Sequence, residues 1–302
     1  MLRESTIEEG EVISESYSYL KIVFQRLKKH RLAIVAFWIL LLLIIIVIFA
    51  KLFSFGNNPF SYVPSVSWAL APEFAPPGPG HILGLDEMGR DVWSRLLYGG
   101  RASLYVGLSS SIFGSIIGLL VGLLSGFLGG IIDGVLMRFT DMMLSIPVLP
   151  LLLVLSSLLK GSINSIVLII VIFSWMGVAR LVRGQVLSLK GQEFVEAARA
   201  IGDSPERIMF VHLLPNTLSP AIVAATLSVG GNIIYEATLS FLGLGIRDPM
   251  PSWGNMLSNS QNYVLSAPWL VLWPGLAILI TTLSFNFLGD GLRDALDPRL
   301  YR

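Results

Sequence analysis

Long uncharged apolar stretches, separated by shorter polar ones, dominate the chain from residue 32 onward. A helix needs about 20 residues to cross the hydrocarbon core of a bilayer. We therefore expect six membrane-spanning helices: Leu32–Ala50, Ala102–Leu128, Met142–Leu159, Ile163–Ala179, Leu218–Leu242 and Trp269–Leu288. The pattern predicts an all-α polytopic membrane protein.

Two of the predicted spans have features that affect their shape. The second has glycine at every fourth position, at Gly114, Gly118, Gly122 and Gly126. Small residues at that spacing let helices in lipid pack backbone against backbone, so we interpret the stripe as a packing surface. The third contains Pro147 and Pro150, which predict a kink whose freed carbonyls are satisfied by neighbouring helices. Asp133, Arg138 and Asp141 are expected in a short turn before it.

The polar stretches set the predicted boundaries. Residues 1–31 form an N-terminal segment, in which residues 18–30 are either an amphipathic helix on the membrane surface or a solvated lead-in. Residues 32–50 form the first span, which is too long for a signal peptide. The other divisions are an extended extracytoplasmic loop at 51–100, a five-helix core at 101–290 and a C-terminal tail at 291–302.

Composition supports a membrane protein. Hydrophobic residues make up 54% of the 302 residues and charged residues 14%, whereas soluble domains have about 25% charged residues. The net charge of +1 argues against a general nucleic-acid binder. Since the chain has no cysteine, disulfides and thiolate sites are excluded. No Gly-Lys pair, HExxH or GxSxG sequence occurs, so no catalytic or metal-binding residue is predicted.

The distribution of positive charge predicts the orientation. Six crossings place both termini on one side, together with 15 of the 21 Lys and Arg residues, and leave 6 on the other side. The positive-inside rule assigns the more basic side to the cytoplasm. We therefore expect a multi-pass cell-membrane protein with both termini in the cytoplasm.

Glu193–Pro215 is the longest charged interval between two predicted spans in the second half of the chain. Its first part has apolar residues at helical spacing, and Gly202 is expected to end that helix in a left-handed conformation. Ser204 and Pro205 are expected to begin a second helix that runs to about Leu213. A bent helix pair of this kind suits docking into another protein, and an ordinary polar loop fits the pattern equally well.

Two further groups of polar residues are candidates for function. Asp86, Arg90 and Asp91 precede the second predicted span. They either form a salt-bridged plug that orders the loop or contact a partner or substrate at the extracytoplasmic mouth. Asn232 and Glu236 lie in the fifth predicted span. A carboxylate at membrane depth is costly and indicates a pathway role, although Glu236 is near enough to the end of the span to reach the interface.

The docking interval resembles the EAA loop of binding-protein-dependent ABC importer permeases. The matching residues are Glu196-Ala197-Ala198, then Gly202, then Leu214-Pro215. The family usually has isoleucine where this chain has His212, and its peptide-importer branch commonly has histidine there.

Other stretches resemble the same branch. Residues 81–104, HILGLDEMGRDVWSRLLYGGRASL, are similar to a signature of the C-type permeases of dipeptide and oligopeptide importers, with Leu85 in place of the usual threonine. Residues 236–245, EATLSFLGLG, and the C-terminal NFLGDGLRDALDPR are also similar to that family. The resemblance covers the chain from about residue 26 to its end.

The resemblance implies a permease subunit that works by alternating access. Its partners would be a second homologous permease, two ATPase subunits that bind ATP and Mg²⁺, and an extracytoplasmic solute-binding protein; no cofactor is expected in this chain. The resemblance implies that the ATPase-docking residues are Glu193, Glu196, Ala197, Ala198, Gly202 and Pro215. Peptides are the expected cargo, with nickel or oligosaccharides as alternatives in the same family. A non-transporting scaffold and a membrane enzyme are the alternatives of other classes.

Overall fold

The computed structural model describes residues 25–28, 30–54, 74–159 and 161–296. Most of the predicted N-terminal amphipathic helix, residues 55–73 of the predicted loop and residues 297–302 of the tail lie outside these ranges. The described residues are mainly α-helical, with two isolated antiparallel bridges in the loop before the second span.

Apart from the long stretch between Phe53 and Val92, the helices follow one another with short connections. They are α1 (Arg31–Ile48), α2 (Ala50–Phe53), α3 (Val92–Leu128), α4 (Gly130–Ser145), α5 (Val148–Leu158), α6 (Ile163–Leu189), α7 (Glu193–Ala200), α8 (Pro205–Arg207), a π-helical turn (Ile208–Leu213), α9 (Leu214–Phe241), α10 (Trp253–Ser260), a 3₁₀ turn (Gln261–Tyr263) and α11 (Trp269–Leu296).

The all-α membrane fold is confirmed. Among the described residues, five helices are long and apolar enough to cross a membrane, and the number rises to six if the bent pair α4–α5 is one span. The pair starts at the end of α3, where Arg183 of α6 binds Asp133. It finishes at the opposite end of the bundle, where the Ser156 hydroxyl donates to the Leu244 carbonyl. The pair therefore makes one broken crossing, which gives six crossings within the part of the chain that the structure describes.

The third predicted span is more distorted than expected. α4 and α5 meet at 87°. Ile146 has an extended backbone (φ −85°, ψ 131°), as expected for a residue that precedes proline, and Pro147 comes directly before α5. Pro150 lies inside α5 and causes no second break. The predicted turn with Asp133, Arg138 and Asp141 is wrong, because all three residues belong to α4.

Several helices extend beyond their predicted bounds. α3 begins at Val92, ten residues before the expected position, because the Asp91 carboxylate caps it by accepting a hydrogen bond from Ser94 N (2.8 Å). The end of the predicted 51–100 loop is therefore helical. α6 continues to Leu189 instead of Ala179. Charged residues marked the predicted ends, but their side chains have partners and the helices continue through them.

The glycine stripe on α3 packs against α6, as predicted. A Cβ atom placed on Gly118 would lie 2.5 Å from the Trp175 carbonyl oxygen, and one on Gly122 would lie 2.5 Å from the Ala179 carbonyl oxygen. The two backbones are therefore in direct contact, and α9 packs against α3 as well, where a Cβ atom on Gly107 would lie 2.5 Å from Ile233 Cγ1.

Candidate functional site

The bend predicted at residues 201–205 is present. α7 covers Glu193–Ala200, and Gly202 follows it with a φ of 88°. Gly202 N donates to Arg199 O (3.1 Å), and Asp203 N donates to Ala198 O (3.0 Å). These two bonds form a Schellman motif, which places its left-handed residue at the position where glycine is favoured.

The helix that follows the bend begins as predicted but does not end as predicted. Ser204 caps it, and Pro205 occupies its first position. It then passes through the π-helical turn directly into α9, so the expected end before Pro215 is wrong. Pro215 lies in the first turn of α9, where its missing N–H and fixed φ are tolerated. The docking segment, residues 192–215, is therefore continuous with a membrane span.

The docking segment has a buried and an exposed face. Val195 and Ala198 lie in an apolar cluster with residues of α6 and the π-helical turn, including Val182, Val186, Ile208, Met209 and Leu213. Ala198 is only 4% exposed. Of the two alanines expected to face a partner, only Ala197 is therefore exposed. The exposed face also carries Glu193, Glu196 and Ile201, and Ile201 is 80% exposed.

A carboxylate holds the two arms of the docking segment together. Asp203 Oδ2 lies 2.9 Å from His212 Nε2, and Asp203 Oδ1 lies 3.0 Å from Arg207 Nε. The His212 carbonyl in turn accepts a hydrogen bond from Asn216 Nδ2 (2.7 Å). Sequence reasoning missed this contact; its only signal was a histidine nine residues after an aspartate, across a glycine bend.

Ion pairs connect α4 to α6 close to the docking segment. Arg183 Nε and Nη2 each lie 2.6 Å from an oxygen of Asp133, in a bidentate arrangement, and Arg180 binds Asp141. A bidentate guanidinium–carboxylate pair fixes orientation as well as distance. The bent pair α4–α5 is thereby attached to the helix that leads into the docking segment.

At the opposite end of the bundle, a second group of charges combines the buried Asp86, Arg90 and Arg95 with the more exposed Asp248. Arg90 Nε lies 2.7 Å from Asp86 Oδ2, and Asp248 Oδ1 lies 3.1 Å from both Arg90 Nη1 and Arg95 Nη2. Ion pairing, one of the two predicted arrangements for this loop, is thus present, while Asp91 caps α3. A role at the extracytoplasmic mouth stays a prediction. Asp248 was missed because it lies 158 residues from Arg90 in sequence.

The pKa values in this cluster reflect both burial and charge. Burial acts to raise the pKa of Asp248, but the guanidinium groups of Arg95 and Arg90 outweigh it, so this pKa is lowered from its ordinary 3.8. The pKa of Glu87 is raised from 4.5, chiefly by burial and then by the charge of Asp86. Relative to freely exposed carboxyls, the folded protein therefore stabilises the ionised form of Asp248 and destabilises that of Glu87.

We expect Asp248 to contribute to acid sensitivity. A carboxyl whose folded pKa is lowered stabilises the protein above its unfolded pKa and loses that effect as pH falls through the folded value. Asp248→Asn is therefore expected to unfold more easily than the natural chain at pH 7, with the difference shrinking as pH falls below 3.8. Thermal unfolding of the detergent-solubilised protein, followed by tryptophan fluorescence across pH, measures this. A difference that stays constant with pH would contradict it.

The two predicted pathway residues lie inside the bundle. Glu236 is 0% exposed and Asn232 is 3% exposed. Glu236 accepts hydrogen bonds from the Ser103 and Ser240 hydroxyls, and the alternative in which it reaches the membrane interface is wrong because α10 covers it. Asn232 Nδ2 has no hydrogen-bond partner among the described residues. No three His, Asp or Glu side chains within the described ranges are arranged to hold a metal ion.

Two family models match the chain. Residues 118–302 match the binding-protein-dependent transport system inner membrane component. Residues 18–77 match the N-terminal TM domain of oligopeptide transport permease C.

Individual proteins match over almost the whole chain. The dipeptide transport system permease protein DppC of Alkalihalophilus pseudofirmus is 42% identical, over 92% of this chain and 89% of its own length. DppC of Bacillus subtilis is 39% identical (99% and 92%), and the oligopeptide transport system permease protein OppC of Bacillus subtilis is 37% identical (96% and 92%). A chain of the inward-facing MetNI methionine ABC transporter has the same fold, with a TM-score of 0.57 and 23% identity over 68% of this chain and 97% of that chain.

Proposed function

This chain belongs to the family of binding-protein-dependent transport system inner membrane components, and from that premise we propose that it is the permease subunit of an ABC importer for peptides. In this proposal it forms half of the translocation pathway. The other half comes from a second homologous permease. Two ATPase subunits bind ATP and Mg²⁺ on the cytoplasmic side, and a solute-binding protein delivers the peptide from outside.

The docking segment is the observation that carries this proposal. α7 presents Glu193, Glu196 and Ala197 on a face that no part of the described chain covers. Its opposite face is packed against α6 and the π-helical turn, so α7 is held firmly in place. An exposed helix with a fixed direction suits insertion into a groove on an ATPase subunit. Gly202 sets its direction, and Pro215 lies where the segment joins α9.

The connection to the membrane gives a route for coupling. From Pro205 to Phe241 the backbone is helical without interruption, so one helix joins the docking segment to the opposite end of the bundle. Movement of an ATPase subunit would displace α7 and, through this helix, the spans. ATP can shift the permease between inward- and outward-open states only because the partners contact the two states differently.

We assign the docking segment and both termini to the cytoplasm, on the basis of the 15 to 6 division of basic residues. The cluster of Asp86, Arg90 and Asp248 then lies at the extracytoplasmic end. Asn232 and Glu236 are kept as pathway candidates. The unpartnered amide of Asn232 supports this, because it can donate a hydrogen bond when the spans separate.

Glu196→Lys tests the docking role. Reversing the charge on the exposed face of α7 is expected to reduce ATPase binding about tenfold or more, since the loss of one charged contact is worth about 1.4 kcal/mol or more. Affinity purification of the tagged permease with its ATPase subunits measures the effect. Asp290→Lys is the control, because it makes the same charge change on an exposed residue of α11. Equal recovery of ATPase with Glu196→Lys and the natural chain would contradict the proposal.

A further inference from the structure

The loop after α9, α10 and the 3₁₀ turn together form an extracytoplasmic cap, residues 243–263. Its backbone lies directly on α9. A Cβ atom on Gly254 would be 2.6 Å from the Ala237 carbonyl oxygen, and one on Gly245 would be 2.5 Å from Ser240 N. Asp248 attaches the outer part of the cap to Arg90 and Arg95. The remaining question is what holds its inner part.

Serine hydroxyls connect the inner part of the cap to Glu236: Ser252 of the cap binds it directly, and Ser103 and Ser240 relay backbone amides of the cap to it. Trp253 N donates to Ser103 Oγ (3.2 Å), and Ser103 Oγ donates to Glu236 Oε2 (2.8 Å). Ile246 N donates to Ser240 Oγ (3.0 Å), and Ser240 Oγ donates to Glu236 Oε1 (2.7 Å). Both relays therefore begin at a backbone amide of the cap and end at the same carboxyl group.

The direction of these hydrogen bonds requires an acceptor at position 236. A backbone N–H can only donate, so each serine oxygen accepts from the cap and its own proton must point elsewhere. Glu236 offers one oxygen to each serine proton. A side chain that donated at either place would leave the proton of that serine without its acceptor, because the serine oxygen would then accept from both sides. An unsatisfied buried donor costs about 1–3 kcal/mol.

We propose that Glu236 is a positioning residue that fixes the extracytoplasmic cap onto α3 and α9. Ser103 belongs to α3, whereas Glu236 and Ser240 belong to α9. The cap therefore follows the outer end of α9, the same helix that begins at the docking segment. The statement about the cap depends only on these contacts. Its link to transport rests on the proposed function.

The absence of natural cysteine makes a distance measurement direct. Spin labels are placed on cysteines substituted for Gln261 in the cap and Ile112 on α3, both of which are exposed. In the full chain, reconstituted in lipid nanodiscs, the natural Glu236 is expected to give one narrow distance distribution. Glu236→Ala is expected to lose that single narrow distance, because both relays end without an acceptor.

Further variants separate the proposal from a simple loss of folding. Ser103→Ala and Ser240→Ala each remove one relay and are expected to broaden the distribution less than Glu236→Ala. Glu236→Gln is expected to broaden it as well, because its amide nitrogen donates at one of the two places where a serine proton needs an acceptor. Asn232→Ala is the control, since Asn232 is buried one turn away on α9, and it should leave the distance narrow.

The outcomes distinguish this inference from the function on which it builds. A distribution as narrow in Glu236→Ala as in the natural chain would overturn the positioning role. Altered peptide selectivity in that case would leave Glu236 as a pathway residue only, without the positioning role. Adding the ATPase subunits and nucleotide then tests the link to transport. If the ATPase does not bind, the proposed function fails, while the effect of Glu236→Ala on the cap in the permease alone still stands.

Discussion

Gly122→Leu is expected to prevent accumulation of folded protein. A Cβ atom at Gly122 would lie 2.5 Å from the Ala179 carbonyl oxygen and 2.8 Å from Val182 Cβ. The first of these is a backbone atom and cannot rotate away, so α3 and α6 must separate. Overpacking typically destabilises a protein by about 1–3 kcal/mol. Because Gly122→Leu separates two helices along their contact, we expect its loss of stability to lie at or above the upper end of that range.

The measurement is the amount of monodisperse protein recovered from membranes, followed by thermal unfolding of what remains. Gly177→Leu is the matched control. Gly177 lies on α6, is exposed, and has no atom within 4 Å of an added Cβ. It is expected to accumulate normally. Equal recovery of the two variants would show that the glycine stripe does not form the contact between α3 and α6.

Gly202→Pro is expected to abolish peptide uptake while the protein stays inserted in the membrane. Proline holds φ near −65°, whereas Gly202 has a φ of 88°. Proline also removes the N–H that donates to Arg199 O. Both changes redirect α7, but the spans themselves are not altered. The permease is therefore expected to reach the membrane and fail to respond to its ATPase.

Uptake of a labelled dipeptide into proteoliposomes, together with ATPase activity, measures this effect. Gly202→Ala should fall between the natural chain and the proline variant, because alanine keeps the N–H and pays about 1–2 kcal/mol for the left-handed conformation. Gly191→Ala, at an exposed position before the docking segment, should transport normally. Full uptake by Gly202→Pro would show that the direction of α7 is unimportant for coupling.

Local chemistry explains why the bend was predictable and several helix ends were not. The left-handed Gly202, the Ser204 cap and Pro205 act within a few residues of one another, so the sequence contains all the information that the bend requires. Helix ends were inferred from charged residues. Arg95 pairs with Asp248, and Arg183 pairs with Asp133, and both partners are far away in sequence. Because the two arginines are neutralised by these partners, the helices continue through them.

Glu236 shows the same limit inside the candidate site. Hydropathy alone identified a carboxylate near the end of a span and could not distinguish burial from access to the interface. Its position became clear only from α10, whose Trp253 amide donates to Ser103, the serine that in turn donates to Glu236. The six spans, in contrast, could be predicted, because a membrane-crossing helix requires only sufficient length and apolar content. Both can be read from a single stretch of sequence.

The seam between α3 and α6 limits how the protein can change shape. Where carbonyl groups of one helix lie against Cα atoms of the other, neither sliding nor rolling is possible without collision, because no flexible side chain lies between them. These two helices therefore behave as one rigid unit within the subunit. A change of shape in the subunit must therefore occur at contacts that flexible side chains mediate, while the α3–α6 contact stays as it is.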